Sequence, residues 1–271
     1  MKIGFIGAGN MGGAILKGAL AKQFIQSNDT YIYDISPELC LQWKQEYQVN
    51  IAENNIDLAL HCDWIVLAVK PVFLADVLKQ IVPVLTPNKK VISIAAGWSI
   101  ENLTKAMGES GAKLLRVMPN TPALVGEGVL ALCEETTLDP VDFVWAQKLF
   151  ATLGVVQLIP ERLMDAVIAV SGSSPAYVFM FIDAMADAAV KLGMPRKQAI
   201  QSAAQAVMGS AKMVLETGLH PAVLKDQVCS PGGTTIDAVQ ALEENGMRGA
   251  VIKAMCACAD KSAKMTNGSS K

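Results

Sequence analysis

The stretch Met1-Lys-Ile-Gly-Phe-Ile-Gly-Ala-Gly-Asn-Met-Gly12 decides the fold of this 271-residue chain. Its short apolar run breaks into Gly7, Gly9 and Gly12, spaced as Gly-x-Gly-x-x-Gly, and a helical pattern follows over 14–21. In such a fingerprint the first glycine allows a tight turn, the second lets a pyrophosphate approach the backbone, and the third lets the helix pack on the strand. The stretch therefore predicts a strand, a turn and a helix that together bind a dinucleotide.

The second predicted strand, at 30–33, ends in Asp34, which lies 22 residues after Gly12. A ribose-binding acid is expected about 20 residues after the fingerprint. A carboxylate there accepts a hydrogen bond from a free 2′-OH and repels a 2′-phosphate, which favours NADH. Ser36, at the start of a predicted helix, would still receive a phosphate if Asp34 swung away, and Asp34 also suits a simple turn. The choice between NADH and NADPH stays open at this point.

Strands and helices alternate through the first half of the chain. The predicted strands at 64–69 and 91–97 are continuously apolar, as in a parallel doubly wound sheet that is buried on both faces. Open α/β sheets bind ligands at the carboxyl ends of their strands, so the segments that end these two strands are candidate cofactor contacts: Ala68, Val69, Lys70, Pro71, Ala95 and Ala96. Asn120, braced between Pro119 and Pro122, is a further candidate, with a rigid turn as the alternative.

After residue 160 the alternation stops and the pattern becomes helical. We therefore predict a Rossmann-type doubly wound parallel sheet at 1–160, followed by an all-α domain at 161–271. Helices that are apolar on most faces must be buried, and a domain of this size has difficulty covering several of them. The pattern predicts an interlocked homodimer in which the helices of two copies pack together.

The segment Val228-Cys-Ser-Pro-Gly-Gly-Thr-Thr-Ile236 combines small and hydroxylated residues between two predicted helices. Pro231 fixes its own φ, and its glycines can take backbone angles that other residues avoid. Thr234 or Thr235 would cap the next helix, leaving N–H groups that point outward. Such a turn suits a substrate carboxylate, and the alternative is an ordinary glycine-rich helix cap.

Composition excludes several classes of function. The net charge of −2 and the lack of a long basic run predict no nucleic-acid partner. The chain is 52% hydrophobic, but charged residues interrupt every long apolar stretch, which predicts no membrane span. The first residues do not resemble a signal peptide. Six scattered cysteines and two remote histidines predict free thiols in a reducing cytoplasm and no metal site.

Several motifs together resemble one family. They occur in the order Phe5-Ile-Gly-Ala-Gly-Asn-Met-Gly12, Ala68-Val-Lys-Pro71, Arg116-Val-Met-Pro-Asn-Thr-Pro122, Ser171-Gly-Ser-Ser-Pro-Ala-Tyr177 and Cys229-Ser-Pro-Gly-Gly-Thr-Thr235. The chain resembles the pyrroline-5-carboxylate reductases over essentially its whole length. The resemblance implies reduction of a cyclic imine to L-proline by NADPH or NADH, the last step of proline biosynthesis. It also implies an all-helical dimerisation domain, dimers that often form decamers, and a site where the cofactor domain and the helices meet.

The resemblance also implies individual contacts. Its cofactor contacts fall on Ile6, Gly7, Ala8, Gly9, Asn10, Met11, Ser36, Asn55, Ala68, Val69, Lys70, Pro71, Ala95 and Ala96. Its substrate contacts fall on Ser230, Gly233, Thr234 and Thr235, with Glu161 at an acidic position near the substrate. Ser174 stands where many members have Gly, and Cys229 where many have Thr or Ser; both exchanges are small.

Two other hypotheses fit part of the sequence. A β-hydroxyacid dehydrogenase shares a cofactor domain followed by helices, but that family has a catalytic lysine one helical turn after a glycine motif. After Gly172 this chain has Ser-Ser-Pro-Ala176 instead. A non-catalytic dinucleotide sensor would keep the first fingerprint without needing the turn at 229–235, so the presence of both favours an enzyme.

Overall fold

The computed structural model describes residues 1–268, so the last three residues of the predicted helical domain, 269–271, lie outside the described residues. The strands are β1 (Ile3–Ile6), β2 (Thr30–Tyr33), β3 (Asn50–Ile51), β4 (Trp64–Leu67), β5 (Lys90–Ser93), β6 (Lys113–Met118), β7 (Gly128–Cys133) and β8 (Gly154–Ile159). The α-helices are α1 (Asn10–Ala21), α2 (Pro37–Tyr47), α3 (Asn55–His61), α4 (Pro71–Ile81), α5 (Ile100–Met107), α6 (Pro140–Ala151), α7 (Met164–Val167), α8 (Ser174–Lys191), α9 (Arg196–Thr217), α10 (Pro221–Val228), α11 (Thr234–Glu244) and α12 (Met247–Gly268).

The eight strands form one sheet in the order β3-β2-β1-β4-β5-β6-β7-β8. The first six strands are parallel, which confirms the doubly wound sheet predicted from the sequence. The last two differ from that prediction, because β7 is antiparallel to β6 and β8 is parallel to β7. The connection from β6 to β7 contains only a 3₁₀ turn at Thr121–Val125, which is too short for the crossover that a parallel pair requires.

The core lies on both faces of the sheet, because successive strand residues point to opposite sides. Phe5 and Trp64 pack on one face with α1 and α6, whereas Ile6 and Ile65 pack on the other face with α3, α4 and α5. These strand side chains are almost completely buried. Helices thus pack on both faces of the sheet, and the carboxyl ends of β1, β2, β4 and β5 lie at the same end of it because these strands are parallel.

The chain divides into two compact units. The sheet unit contains Met1–Ser173 together with residues 258–268, and the helical unit contains Ser174–Ala257. This division by packing differs from the predicted one at residue 160, because Met164, Val167 and Ile168 pack against Met118 and the end of β7. The functional division of the chain at residue 160 stays a prediction.

The helical unit has little core of its own. Ala186, Ala199 and Ala203 are its only buried apolar residues, although α8 and α9 pack along each other. Several large apolar side chains are exposed, among them Phe179, Met180 and Leu215. The helical stretch Glu161–Lys191 is also long and apolar enough to cross a membrane. Length and composition are equally typical of a helix that packs against protein, so the predicted absence of a membrane partner stays a prediction.

Candidate active site

The glycine fingerprint forms a tight loop between β1 and α1. Gly7 has φ +92° and donates its N–H to the carbonyl oxygen of Tyr33 at 2.8 Å. A Cβ on Gly12 would collide with the carbonyl oxygen of Gly7, so only glycine lets α1 start this close to β1. A Cβ on Gly9, in contrast, would meet nothing within 4 Å. The first and third glycines thus serve the fold, and the second faces open space, as a pyrophosphate requires.

Helix α1 begins with its amides available to an anion. Gly9 is the N-cap residue and no side chain caps the helix, nor does an acidic residue occupy the first turn. The first N–H groups of a helix have no partner within the helix, and the helix dipole adds positive potential there. The residues predicted to contact the cofactor from this loop therefore stand at a site whose chemistry fits a phosphate.

Asp34 is bound to this loop. Its Oδ2 accepts the N–H of Ala8 at 2.9 Å and its Oδ1 accepts the N–H of Ser36 at 3.0 Å. The indole N–H of Trp43, on α2, donates to the carbonyl oxygen of Ala8 at 3.1 Å. Both backbone polar groups of Ala8 are thus fixed by side chains that follow β2. Sequence reasoning missed Trp43, since nothing in the local pattern of α2 marks its indole as a partner of the glycine loop.

The loops after β4 and β5 adjoin the glycine loop and each other. A Cβ on Gly7 would lie 2.8 Å from the carbonyl oxygen of Ala68, which shows how closely the first two loops approach. The indole N–H of Trp98 donates to the carbonyl oxygen of Pro71 at 3.2 Å and joins the second and third loops. Lys70 is exposed at the N-cap of α4. The structure therefore brings the predicted segments Ala68–Pro71 and Ala95–Ala96 together with the glycine fingerprint.

Asn55, the first residue of α3, is only 7% exposed. Its Nδ2 donates to Oε1 of Gln80 at 2.9 Å, but its Oδ1 has no hydrogen-bond partner within the described chain. A buried acceptor left without a donor costs about 1–3 kcal/mol. A ribose hydroxyl is a donor of the kind that this oxygen lacks, but the oxygen has almost no accessible surface, so the contact predicted for Asn55 stays a prediction.

Asn120 is occupied by protein groups. Its Nδ2 donates to the carbonyl oxygen of Ser171 at 3.0 Å, and its Oδ1 accepts the N–H of Val129 at 2.9 Å. The side chain is buried and holds the start of β7 to the helical segment that begins at Glu161. These contacts give Asn120 a structural role, and its predicted contact with a cofactor stays a prediction.

Glu161 lies directly after β8 and also has protein partners. Its Oε1 accepts from Nη1 of Arg116 at 2.8 Å and from the N–H of Ile100, the first residue of α5, at 2.6 Å. Its own N–H donates to Glu135, which holds the pKa of that carboxyl below its ordinary value. Glu161 thus joins β6, the start of α5 and the end of β8. Its predicted catalytic role stays a prediction, and it belongs to the sheet unit whereas the other four predicted catalytic residues belong to the helical unit.

Replacing Glu161 by alanine is expected to lower the free energy of unfolding by about 3 kcal/mol, because Arg116 is 3% exposed and would keep a buried charge without its partner. The Nε of Arg116 already lacks a partner within residues 1–268. Glu161→Gln keeps an acceptor for Ile100 and should lose less. Urea unfolding at fixed protein concentration measures both variants, and a loss below about 1 kcal/mol for Glu161→Ala would contradict the expected effect.

The loop Cys229–Gly233 in the helical unit connects α10 to α11. Gly232 has φ +68°, which favours glycine, and Gly233 donates its N–H to the carbonyl oxygen of Ser230 at 3.0 Å. A side chain on Gly233 would collide with the Oγ of Ser230. The prediction that Thr234 or Thr235 caps the helix is wrong: Gly233 is the N-cap, and both threonines lie in the first turn of α11. A glycine cap occupies none of the helix amides, so the start of α11 suits a carboxylate.

The cysteines give no sign of redox or metal chemistry within the described chain. All six thiols are free, and burial raises the pKa of both Cys62 and Cys133 to about 12. A thiol with so high a pKa stays protonated and unreactive at neutral pH. Among residues 1–268, no group of three His, Cys, Asp or Glu side chains is placed to hold a metal ion.

Comparison with known proteins finds two matching families. Residues 161–265 match the family described as pyrroline-5-carboxylate reductase dimerisation, and residues 2–97 match NADP oxidoreductase, coenzyme F420-dependent. The chain is 49% identical to the pyrroline-5-carboxylate reductase of Escherichia coli (strain K12), with 98% of each chain covered, and 40% identical to that of Methanosarcina acetivorans, with 97% of each covered.

One solved structure gives the same result in three dimensions. The pyrroline carboxylate reductase of Plasmodium falciparum, solved with NADP bound, superimposes with a TM-score of 0.89 at 36% identity, covering 98% of each chain. Sequence identities of 36% to 49% over whole chains are higher than a shared fold alone would require.

Proposed function

The chain belongs to the pyrroline-5-carboxylate reductase family, and on this basis we propose that it reduces 1-pyrroline-5-carboxylate to L-proline with NADH or NADPH as hydride donor. This reaction is the last step of proline biosynthesis. The observation that carries the proposal is that one chain holds both a dinucleotide loop, at Gly7–Gly12, and a turn suited to a carboxylate, at Ser230–Thr235.

The bound dinucleotide supplies a hydride from C4 of its dihydronicotinamide ring. In the sheet unit, the start of α1 would hold the pyrophosphate, Asn55 a ribose hydroxyl, and the segments Ala68–Pro71 and Ala95–Ala96 the part of the cofactor beyond the pyrophosphate. Lys70 stands exposed among them and can meet a phosphate. Binding in this way fixes the position of the donor carbon.

The turn in the helical unit would bind and orient the substrate. The N–H groups of Thr234 and Thr235 in the first turn of α11, with the hydroxyl of Ser230, can clamp a carboxylate through charge-assisted hydrogen bonds. The N–H of Gly233, which was also expected to bind the carboxylate, donates to the carbonyl oxygen of Ser230 instead. The imine is basic enough to react as its iminium, so no strong general acid is needed. The hydroxyl of Thr235, which is half-buried, would contact the ring nitrogen and hold or relay its proton.

The test is oxidation of NADH and, separately, NADPH by purified protein, followed at 340 nm with and without pyrroline-5-carboxylate. Substrate-dependent oxidation of either cofactor is the expected result. Binding of cofactor with no oxidation would contradict the reductase and favour the dinucleotide sensor.

A second copy of this chain is the partner that we propose for the helical unit. The matched family is a dimerisation family, and the large apolar side chains of α8 are uncovered in one chain. Phe179 is 64% exposed and Met180 is 72% exposed. We propose an interlocked homodimer, with a decamer as its further assembly, and a cytoplasmic location without nucleic-acid or membrane partners.

Phe179→Asp is expected to shift the protein toward monomer, because a buried interface does not tolerate an unpaired carboxylate. Light scattering coupled to gel filtration gives the mass. Lys197→Asp, a change at an exposed charged position of α9, serves as a comparison that also adds negative charge. A dimer or larger species that persists unchanged in Phe179→Asp would contradict this part of the proposal.

A further inference from the structure

Asp34 ends β2 beside the glycine loop, where an acidic side chain faces the adenosine ribose in a Rossmann domain. Sequence alone leaves two outcomes open. Either the carboxylate stays and selects a free 2′-hydroxyl, or it turns away and lets Ser36 and the start of α2 receive a 2′-phosphate. The contacts of Asp34 and Ser36 distinguish these outcomes.

The carboxylate of Asp34 is held by both oxygens, one on the N–H of Ala8 and one on the N–H of Ser36. Ala8 is 1% exposed, so its N–H would become a buried donor without a partner if Asp34 turned away. Such a donor costs as much as the loss of a buried hydrogen bond. The carboxylate therefore stays at the end of β2.

Both hydrogen-bond donors of Ser36 are engaged within the protein. Its N–H is bound to Asp34, and its hydroxyl donates to Oε2 of Glu38 at 3.1 Å. Its Oγ in turn accepts the N–H of Leu39 at 3.3 Å as the cap of α2. A phosphate at this position would displace internal hydrogen bonds and face the carboxylates of Asp34 and Glu38 together.

The segment that carries these two charges supplies no cation to offset them. The chain has no lysine or arginine between Lys22 and Lys44, the span that contains β2 and most of α2. Lys70 follows β4, and the strand order places β1 between β4 and β2. That lysine is therefore on the other side of the glycine loop from Asp34.

From these contacts we infer that the chain binds NADH more tightly than NADPH, and that Asp34 and Glu38 set this preference. The inference rests on the proposed function for the identity of the cofactor. It separates this chain from the Plasmodium falciparum structure, which holds NADP. Repulsion between the 2′-phosphate of NADPH and a nearby carboxylate, incompletely screened by solvent, corresponds to about tenfold or more tighter binding of NADH.

The experiment measures dissociation constants of NADH and NADPH for the purified full-length protein, from the nicotinamide fluorescence, without any imine present. We expect NADH to bind about tenfold more tightly at low ionic strength, with a smaller ratio at 1 M salt because surface charges are then screened. Equal affinities, or tighter binding of NADPH, would overturn the inference.

Variants identify the residues responsible. Asp34→Asn keeps one oxygen acceptor and should bring the two dissociation constants closer together, and Glu38→Gln should do so to a smaller extent without touching the glycine loop. Glu46→Gln, which removes the same charge from an exposed position of α2, should leave the ratio unchanged. An equal effect of Glu46→Gln would show that net charge alone sets the ratio and would overturn the assignment to Asp34 and Glu38.

Turnover separates this inference from the proposed function. If pyrroline-5-carboxylate is reduced with both cofactors bound equally well, the reductase stands and the NADH preference fails. If NADH binds more tightly but no imine-dependent oxidation follows, the preference stands and the proposed reaction fails.

Discussion

Replacing Thr235 by alanine is expected to lower kcat for imine reduction about 100-fold, the lower end of the range for a positioned proton donor. The reason is that its hydroxyl, half-buried in the first turn of α11, is the group proposed to contact the ring nitrogen. The dissociation constant of NADH should change little, because the glycine loop belongs to the sheet unit. Steady-state kinetics and fluorescence titration measure the two effects separately.

Thr235→Ser is the matched control for this variant. It keeps the hydroxyl and should recover most of the lost turnover. Thr234→Ala should change kcat and KM little, since the proposed contact of that residue is through its backbone N–H, which alanine keeps. Equal losses of turnover and of NADH affinity in Thr235→Ala would contradict the role assigned to its hydroxyl.

Gly9→Ala is expected to weaken dinucleotide binding about 100-fold, equivalent to about 2.7 kcal/mol, while the protein stays folded. An added Cβ at Gly9 meets no protein atom within 4 Å, so the fold should accept it. The same methyl group would stand where a pyrophosphate approaches the backbone. Fluorescence titration with NADH gives the affinity, and thermal unfolding without cofactor gives the stability.

Gly12→Ala supplies the contrast. Its Cβ would collide with the carbonyl oxygen of Gly7, so α1 must shift and the apparent Tm should fall in the absence of any cofactor. If Gly9→Ala lowered the Tm as much as Gly12→Ala does, the assignment of Gly9 to cofactor binding and of Gly12 to helix packing would be wrong.

Local patterns were enough to predict much of this molecule. The fingerprint at Gly7–Gly12 requires glycine for reasons that act within a few residues, and continuous apolar runs such as the one containing Ile65 and Val66 indicate strands buried on both faces. The reversal of β7 depends instead on what the turn Thr121–Val125 can span. Its two flanking strands looked the same in the sequence as parallel ones.

Contacts between distant parts of the chain were not predictable in the same way. Glu161 reaches Arg116 across 45 positions and Ile100 across 61, and no period in the sequence marks such pairs. Similarly, Asp34 was identified by its spacing, but whether its carboxylate could move depended on Ala8 and Ser36, which only the folded chain places around it. The turn at 229–235 lies between two helices as predicted, its capping residue differs from the prediction, and its role in binding substrate stays a prediction.

The hydrogen bonds on Ala8 order the glycine loop before the cofactor binds. Asp34 holds its N–H and Trp43 its carbonyl oxygen, while Gly7 is bound to Tyr33. The glycine loop thus loses its conformational freedom when the protein folds rather than when a dinucleotide arrives. Preorganisation of this kind removes an entropic cost from association. The amides of Gly7 and Ala8, which are bonded to Tyr33 and Asp34, should accordingly exchange slowly with solvent before any cofactor is added.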